Sequence, residues 1–380
     1  MSADLHPSPE WVRPHVALIG SRGVPGRYGG YETLMEELGV RLLARGFRVT
    51  VYCRAHSTPR TLREHRGLEL VVLPTLATKH LDTPVHTFLS CLDALRRGFD
   101  AALLVNSANA LFLPLLGLAG VPTALHVDGI ERRRAKWGAF GRGVYALSER
   151  LACLLPDALV TDAEVIRRHY LERYGAPSTA IAYGVEPTPP ASAEVLPRLG
   201  LEPGGYFLYV SRFEPENNPH RVVEAYRDVG GELPLVMVGG APYAGGFIRD
   251  FKAQADRRVL FPGPIYGEGY RELLSGALTY VHATEVGGTH PALVEAMGYG
   301  ACVLVNRTPE NVEVAGETGI YFEAARPETL TAACEWVRAH PEAAAAQGRA
   351  AAGRAARLYS WEQVADAYAA LFRRLMAGRG

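Results

Sequence analysis

The sequence predicts an α/β protein built from two doubly wound domains that face each other across a cleft. Its 380 residues exceed one ordinary α/β domain and suit two. Short apolar runs alternate with longer helical segments, as in parallel sheets that carry crossover helices on both faces. A proline-rich break interrupts this alternation near the middle of the chain, and the alternation then begins again.

The first half contains short runs rich in β-branched residues, each long enough for one buried strand. Leucines at helical spacing fill the segment 32–45, which ends at Gly46 and which we expect to be a helix. The apolar stretch 101–125 is interrupted by polar residues and a proline, so we expect a buried strand and a buried helix rather than a membrane span. The predicted strands of this half are 15–19, 48–53, 68–73, 101–105 and 123–126.

The break divides the chain into an N-terminal domain, 1–187, a linker, 188–204, and a C-terminal domain, 205–359. Apolar residues at helical spacing continue to the end of the chain, and we expect the helix in 360–380 to dock back on the N-terminal domain. The C-terminal domain repeats the Rossmann-like alternation, with predicted strands at 206–210, 235–238, 259–261, 279–282 and 302–306, and predicted helices at 218–228, 270–275, 291–299 and 327–340.

Composition excludes several classes of protein. The net charge is zero, from 40 basic and 40 acidic residues, which disfavours nucleic acid as a partner. Five cysteines are scattered without a CxxC pair, which disfavours a disulfide framework or a zinc site and favours a reducing compartment. The first 14 residues lack the pattern of a signal peptide. We therefore expect a cytoplasmic protein.

A glycine-rich loop follows the first predicted strand and contains five glycines within 20–32. Such a loop brings backbone N–H groups and a helix N-terminus close to a ligand, which suits a phosphate. Its G-x-x-G-x-x-G pattern is also compatible with a nicotinamide dinucleotide, but the second strand ends without the acid that would hold the adenosine ribose. A tight loop that binds nothing is a further alternative. We expect Gly29 and Gly30 to touch a diphosphate from across the cleft.

The C-terminal domain carries more specific motifs. Arg212 follows the first strand of this domain, where a guanidinium is well placed to clamp a diphosphate. Gly287, Gly288 and Thr289 precede a predicted helix whose N-terminus can receive phosphate or sugar oxygens. Glu295 lies about one turn into that helix, where its carboxylate can accept hydrogen bonds from ribose hydroxyls. An ordinary solvated helix residue is the alternative for Glu295.

Five segments, in order along the chain, resemble glycosyltransferase family 4, whose members have the GT-B architecture. They are most similar to its bacterial rhamnosyltransferase-like branch, and the resemblance runs from about residue 15 to the C-terminus. It implies a dTDP-, UDP- or GDP-sugar donor held mainly by the C-terminal domain and an acceptor held by the N-terminal domain. It also implies chemistry without a metal or cofactor, and usually retention at the anomeric carbon. The segments are SRGVPGRYGGYET, VDGIERRRAKWG, IAYG, SRFEPENNP and VGGTHPALVEAM.

Two positions depart from the family pattern. Family members often carry a lysine five residues after the arginine, where this chain has Asn217. They also carry a glutamate eight positions before the one that corresponds to Glu295, and here that position is Gly287. Glu285 lies two positions earlier and replaces the missing glutamate only if the loop is rearranged. We keep Asn217 and Glu285 as candidate donor-binding residues.

The facing edge of the N-terminal domain supplies the candidate catalytic residues. His126 resembles the histidine that many family members carry at this strand end, which implies a hydrogen bond to the transferred sugar or a shared role in proton transfer. Asp128 is our candidate for orienting or deprotonating the acceptor hydroxyl, and capping of the turn at Gly129 is the alternative. Asp162 and Tyr183 end later strands, where they line the cleft or cap turns.

A basic segment follows Asp128. Such a run of charge is usually a solvated surface, but its place after an active-site loop also suits an anionic acceptor such as a lipid diphosphate, with peripheral contact to the inner membrane face. The candidate acceptor-binding residues are Arg132, Arg134, Lys136 and Trp137.

Together these features predict a glycosyltransferase that moves a hexose or a rhamnose-like deoxyhexose to a glycan or lipid-linked acceptor. A nucleotide-sugar epimerase of the same fold and a non-catalytic nucleotide-sugar-binding protein are the alternatives.

Overall fold

A computed structural model describes residues 13–26, 29–78, 81–134, 138–241 and 244–378. They form two α/β domains, each with a largely parallel sheet between two layers of helices. Successive residues of a strand enter different cores: Val16 and Leu18 belong to one apolar cluster, while Ala17 and Ile19 belong to the cluster on the opposite face. Both faces of the sheet are therefore covered, and the predicted fold class is confirmed.

The sheet of the N-terminal domain has the order β3-β4-β2-β1-β5-β6-β7-β8, and β3 alone pairs antiparallel with its neighbour. Short 3-10 turns at Ser107–Phe112 and Glu131–Arg133 follow two of these strands. The strands are β1 (His15–Ile19), β2 (Arg48–Arg54), β3 (Glu64–His65), β4 (Leu68–Leu73), β5 (Ala101–Val105), β6 (Thr123–Val127), β7 (Ala158–Thr161) and β8 (Thr179–Ala180). The helices are α1 (Gly30–Ala44), α2 (Asp82–Ala94), α3 (Leu113–Leu118), α4 (Ala139–Leu154) and α5 (Glu164–Tyr174).

The C-terminal domain repeats this design with a fully parallel sheet in the order β11-β10-β9-β12-β13-β14. Its strands are β9 (Phe207–Val210), β10 (Leu235–Val238), β11 (Val259–Gly263), β12 (Thr279–His282), β13 (Cys302–Asn306) and β14 (Gly319–Phe322). The helices are α6 (Val195–Leu199), α7 (Pro219–Arg227), α8 (Gly245–Lys252), α9 (Glu268–Gly276), α10 (Pro291–Gly298), α11 (Pro309–Ala315), α12 (Pro327–Ala339) and α13 (Pro341–Leu358).

The structure differs from the prediction in two segments near the middle of the chain. The expected linker is partly ordered as α6, because Val195 and Leu196 pack into the core of the C-terminal domain. The expected buried helix within 101–125 is the short α3, which buries Leu113 and Leu116 but leaves Leu118 81% exposed. Across the described residues, no helix combines the length and apolar character needed to cross a bilayer.

The last helix, α14 (Trp361–Ala377), packs against α1. Its buried residues, which include Tyr368 and Phe372, belong to the same apolar cluster as one face of β1. Ion pairs flank this apolar contact: Arg41 Nε lies 2.9 Å from a Glu362 oxygen, and Arg45 Nε lies 2.8 Å from Asp366 Oδ1. The end of the chain therefore completes the core of the N-terminal domain.

This packing gives a prediction for stability. Phe372 is fully buried, and its ring centroid lies 6.2 Å from those of Phe47 and Tyr368. Phe372→Ala is expected to lower the free energy of unfolding of the N-terminal domain by about 3–5 kcal/mol, measured by urea titration. Leu358→Ala, at a half-exposed position, serves as the control and should change it by less than about 0.5 kcal/mol. Equal effects of the two substitutions would contradict the docking of α14.

Candidate active site

The carboxyl ends of the two sheets meet at a cleft, where backbone from both domains is in contact. Gly129 follows β6 and has a φ of +81°, and a β-carbon at this position would lie 2.7 Å from the carbonyl carbon of Gly287. Close by, Asp162 Oδ2 after β7 accepts a hydrogen bond of 2.9 Å from the N–H of Thr289. These contacts bring the edge of the N-terminal domain onto the loop that precedes α10.

Gly129 gives a prediction for activity. Gly129→Ala places a β-carbon against the Gly287 backbone and strains a left-handed conformation, so the two loops must separate. Because a displacement of about 1 Å costs about 10²-fold in rate, we expect kcat/KM to fall by about that factor. Gly138→Ala is the matched control, since φ at Gly138 is −71° and its β-carbon would meet no described residue within 4 Å. A Gly129→Ala variant as active as Gly138→Ala would show that this contact is dispensable.

The glycine-rich loop is held by carboxylates of α1. The N–H of Arg22 donates to Glu32 Oε1 at 2.8 Å, and the N–H of Gly26 donates to Glu36 Oε2 at 2.7 Å. These two N–H groups are thus satisfied inside the domain. Gly29 and Gly30 lie at the N-terminus of α1, and a β-carbon on Gly30 would lie 2.9 Å from Pro291 Cγ of α10. The N-terminus of α1 therefore faces the N-terminus of α10, which is the arrangement needed for Gly29 and Gly30 to reach a ligand from across the cleft.

Arg212 lies after β9 with its side chain partly exposed, and its Nη1 is 3.8 Å from Glu214 Oε2. Asn217 is buried, and its Nδ2 donates to the Arg212 carbonyl at 2.7 Å. The Asn217 carbonyl in turn accepts from Tyr209 Oη at 2.7 Å. Asn217 thus holds the arginine loop in shape, and the direct donor contact suggested by the sequence stays a prediction.

The two candidate glutamates have different environments. Glu285 is exposed, and its Oε1 accepts from Asn218 Nδ2 at 3.0 Å. Glu295 Oε2 accepts from Tyr270 Oη at 2.7 Å. Burial raises the pKa of Glu295 to about 7, and the hydrogen bond from Tyr270 opposes that rise. Glu295 is therefore a partly protonated carboxyl near neutral pH, able to donate as well as accept hydrogen bonds.

The segment before α10 is closely packed from both sides. Gly287 lies against the His290 ring, where a β-carbon would overlap the imidazole, and a β-carbon on Gly288 would overlap the Asp162 carboxylate. Both glycines and Thr289 are buried. The glycines are therefore required by the close approach of these side chains, and the contact with phosphate or sugar oxygens for which they were selected stays a prediction.

His126 is buried at the end of β6 beneath the cleft. Its Nδ1 is 2.6 Å from Tyr368 Oη of α14, and its ring lies edge-on to Tyr31 and Tyr183, with centroids 5.8 Å apart in each pair. Burial lowers the pKa of His126 to about 3, so the imidazole is neutral at physiological pH. Its Nε2 has no hydrogen-bond partner among the described residues.

Asp128 lies just beyond His126 and accepts a hydrogen bond from Tyr31 Oη. Burial raises the pKa of Asp128 to about 6, and the charge of Glu131 adds to that rise. Arg134 and Arg212, the latter from the opposite domain, act against it. A carboxyl with this pKa can exchange a proton near neutral pH, as a general base must.

The two described members of the acceptor-binding candidates are both neutralised by carboxylates. Arg132 Nε lies 2.9 Å from Oε2 of the buried Glu149. Arg134 is buried, donates to Glu131, and lies 3.8 Å from Glu216 Oε1 of the C-terminal domain. Lys136 and Trp137 lie outside the described residues. Arg132 and Arg134 therefore stabilise the loop, and their contact with an acceptor stays a prediction.

Sequence reasoning missed three tyrosines of the site. Tyr31 and Tyr270 donate to Asp128 and Glu295. Tyr368 contacts His126 from α14, which the sequence presented only as an amphipathic helix. Of the three, Tyr31 could have been selected from the sequence, because it belongs to the segment SRGVPGRYGGYET that resembles the family.

Two family models together match most of the chain. Residues 28–188 match the family model described as Glycosyltransferase Family 4, and residues 198–354 match the model described as Glycosyl transferases group 1. The curated D-rhamnosyltransferase WbpZ of Pseudomonas aeruginosa is 25% identical over 199 residues. That alignment covers 50% of this chain and 51% of WbpZ, so the chain spans about half the length of this relative.

Solved structures resemble the chain over nearly its whole length. Sucrose-phosphate synthase from Thermosynechococcus elongatus has a TM-score of 0.81 at 20% identity, covering 96% of this chain and 100% of that one. Anabaena HepE in complex with UDP and glucose has a TM-score of 0.78 at 15% identity, covering 95% of this chain and 100% of that one. At these identities the likeness shows the fold, which is GT-B as the resemblance implied.

Proposed function

Because this chain belongs to glycosyltransferase family 4, we propose that it transfers a hexose or deoxyhexose from a nucleoside diphosphate to a glycan or lipid-linked acceptor. One observation supports the proposal: Gly129, next to Asp128, lies against Gly287 before α10, and the charge of Arg212 lowers the pKa of Asp128 from the opposite domain. We infer that groups suited to a leaving diphosphate lie opposite a base. The name of the similar D-rhamnosyltransferase favours a rhamnose-like donor.

The C-terminal domain would hold the donor. Departure of the nucleoside diphosphate leaves negative charge on the β-phosphate, which Arg212 and the positive end of α10 stabilise. Glu295, beside Tyr270, accepts hydrogen bonds from the ribose hydroxyls. Similar structures of HepE contain UDP or UDP-glucose, which favours a nucleotide sugar as the ligand of this fold.

The N-terminal domain would hold the acceptor and the transferred sugar. Asp128 orients the acceptor hydroxyl or removes its proton, and Tyr31 fixes the carboxylate by its hydrogen bond. His126 is neutral, so a Tyr368 hydroxyl that donates to Nδ1 leaves the ring proton on Nε2. That proton is then available to a hydroxyl of the sugar. Arg132 and Arg134 are paired with carboxylates, so a lipid-diphosphate acceptor at the inner membrane face rests on the basic sequence of segment 132–137 alone.

We propose a retaining reaction without metal or cofactor. In a front-face displacement the leaving phosphate helps to deprotonate the acceptor hydroxyl, so no side chain need act as a covalent nucleophile. Closure of the two domains excludes water, and transfer is then faster than hydrolysis.

The test is to incubate the protein with UDP-, dTDP- and GDP-sugars, with and without glycan and lipid-diphosphate acceptors. Released nucleoside diphosphate and glycosylated product are measured by mass spectrometry. We expect release from one donor class that depends on the acceptor. Conversion of the donor into another nucleotide sugar without an acceptor would indicate an epimerase, and binding without turnover would indicate a non-catalytic protein.

A further inference from the structure

A carboxyl group of the N-terminal domain holds the backbone just before α10, at Thr289. Asp162 Oδ2 accepts from the Thr289 N–H at 2.9 Å, and Thr289 Oγ1 donates to the Asp162 carbonyl at 2.5 Å. Gly288 lies directly against Asp162, and a β-carbon there would overlap the carboxylate. The N–H groups and the dipole of a helix N-terminus attract anions. Here the Thr289 N–H, just before the helix, is taken by a side chain of the protein itself.

Apart from these contacts, the Asp162 side chain is buried with few hydrogen bonds. Its side chain belongs to a residue that is 1% exposed, and its Oδ1 has no hydrogen-bond partner within the described part of the chain. Burial, together with the charge of Asp128, raises the pKa of Asp162 well above its ordinary value. The contact with α10 is thus the main compensation for a costly buried carboxyl.

A reciprocal contact provides a comparison. Glu313 of α11 accepts from the N–H groups of Glu164 and Val165, at 2.6 and 2.8 Å, and so caps α5 of the N-terminal domain. Glu313 thus caps a helix of the opposite domain, and Asp162 holds the N–H of Thr289 in the segment before α10. The Glu313 contact joins the domains as the Asp162 contact does, but it lies on α5, which carries no residue of the donor site described above.

We propose that the carboxylate of Asp162 is an internal competitor for the donor diphosphate at the N-terminus of α10, and that it leaves this position when the donor binds. The inference rests on the proposed function, which places the diphosphate at Gly287, Gly288 and Thr289. A diphosphate oxygen and Asp162 Oδ2 cannot both accept from the single Thr289 N–H, and an ionised Asp162 would also repel the diphosphate. The apparent affinity for the donor is therefore reduced by the fraction of molecules in which Asp162 holds α10.

Asp162→Asn tests the proposal. The amide oxygen of asparagine can still accept from the Thr289 N–H, but the side chain carries no charge. Calorimetric titration with UDP, GDP, dTDP and inorganic pyrophosphate is expected to give a Kd about 3- to 10-fold lower than that of the wild type. This is the change expected if Asp162 holds Thr289 in most wild-type molecules. Uridine, guanosine and thymidine lack the diphosphate, so their affinities should not change.

Glu313→Gln is the matched control, because it weakens another contact between the domains and leaves the segment before α10 unchanged. It should leave every Kd within about twofold of the wild-type value. Asp162→Ser repeats the loss of charge with a shorter side chain, should the first variant fold poorly.

Each outcome decides between the alternatives. Tighter binding of diphosphates by the Asp162 variants alone supports the proposal, including binding that appears only when the charge is removed. Unchanged or weaker binding overturns it, and so does equal tightening by Glu313→Gln, which would indicate domain opening instead of competition. If neither the wild type nor any Asp162 variant binds a diphosphate, the proposed donor site fails together with the inference. If the wild type binds one and Asp162→Asn does not improve it, the inference alone fails.

Discussion

Replacing Arg212 by alanine is expected to lower kcat/KM for sugar transfer by about 10²- to 10³-fold, the usual cost of removing one group that stabilises a developing anion. Arg212 lies at the carboxyl edge of the sheet, and its loop is fixed by the hydrogen bond from Asn217. The guanidinium therefore meets the diphosphate in a preset position, both in the bound donor and as it leaves, so its loss should raise KM as well as lower kcat. Steady-state assays of released nucleoside diphosphate measure the effect.

The control for Arg212→Ala is Arg221→Ala in the same domain. Arg221 pairs with Glu224 at 2.8 Å on the surface of α7, and both side chains are exposed. Its removal should change kcat/KM by less than about twofold, since exposed pairs of this kind contribute little. If both variants lose activity equally, the assignment of Arg212 to the diphosphate is wrong.

Asp128→Asn is expected to lower kcat by at least about 10²-fold, because the amide cannot take the proton of the acceptor hydroxyl. In the wild type the pKa of Asp128 is raised to about 6, so the active carboxylate predominates above pH 6 and is lost as pH falls through that value. The pH profile of kcat should therefore show an acidic limb near pH 6 that is absent from the residual activity of Asp128→Asn.

Tyr31→Phe provides the sharper control. The hydrogen bond from Tyr31 lowers the pKa of Asp128, so its loss raises that pKa and should move the acidic limb to higher pH while leaving much of the activity at pH 8. A change in overall stability alone would not move the limb in this way. An acidic limb that persists at the same pH in Asp128→Asn would assign it to another group.

The sequence was sufficient to predict the central strands of the two sheets, because they are short, nearly continuous apolar runs that are buried on both faces. It failed where burial depends on small residues. Helix α13 buries Ala344, Gly348, Ala351 and Ala355, which give almost no contrast with its exposed alanines, and β14 is a short edge strand whose residues are mostly half-buried. Such elements take their conformation from the core that they complete rather than from a local pattern.

The site was predictable at the ends of strands and unpredictable in its pairings. Residues at the carboxyl edges, such as Arg212 and Asp128, were found because parallel sheets bring those edges together. Their partners come from distant segments: Glu149 neutralises Arg132 from α4, and Tyr368 reaches His126 across 242 positions. No spacing rule connects such residues. The sequence therefore did not reveal that the candidate acceptor-binding arginines are paired with carboxylates in the fold.

The most direct test of the central claim is whether a nucleotide sugar binds at Arg212 and α10. Thermal unfolding is followed with UDP-, dTDP- and GDP-sugars, for the wild type and for Arg212→Ala. A donor at about 100 times its Kd adds about 2.7 kcal/mol of stability. We expect one class of donor to raise the melting temperature of the wild type by several degrees and Arg212→Ala to lose most of that rise. If no nucleotide sugar stabilises the wild type, the claim is contradicted.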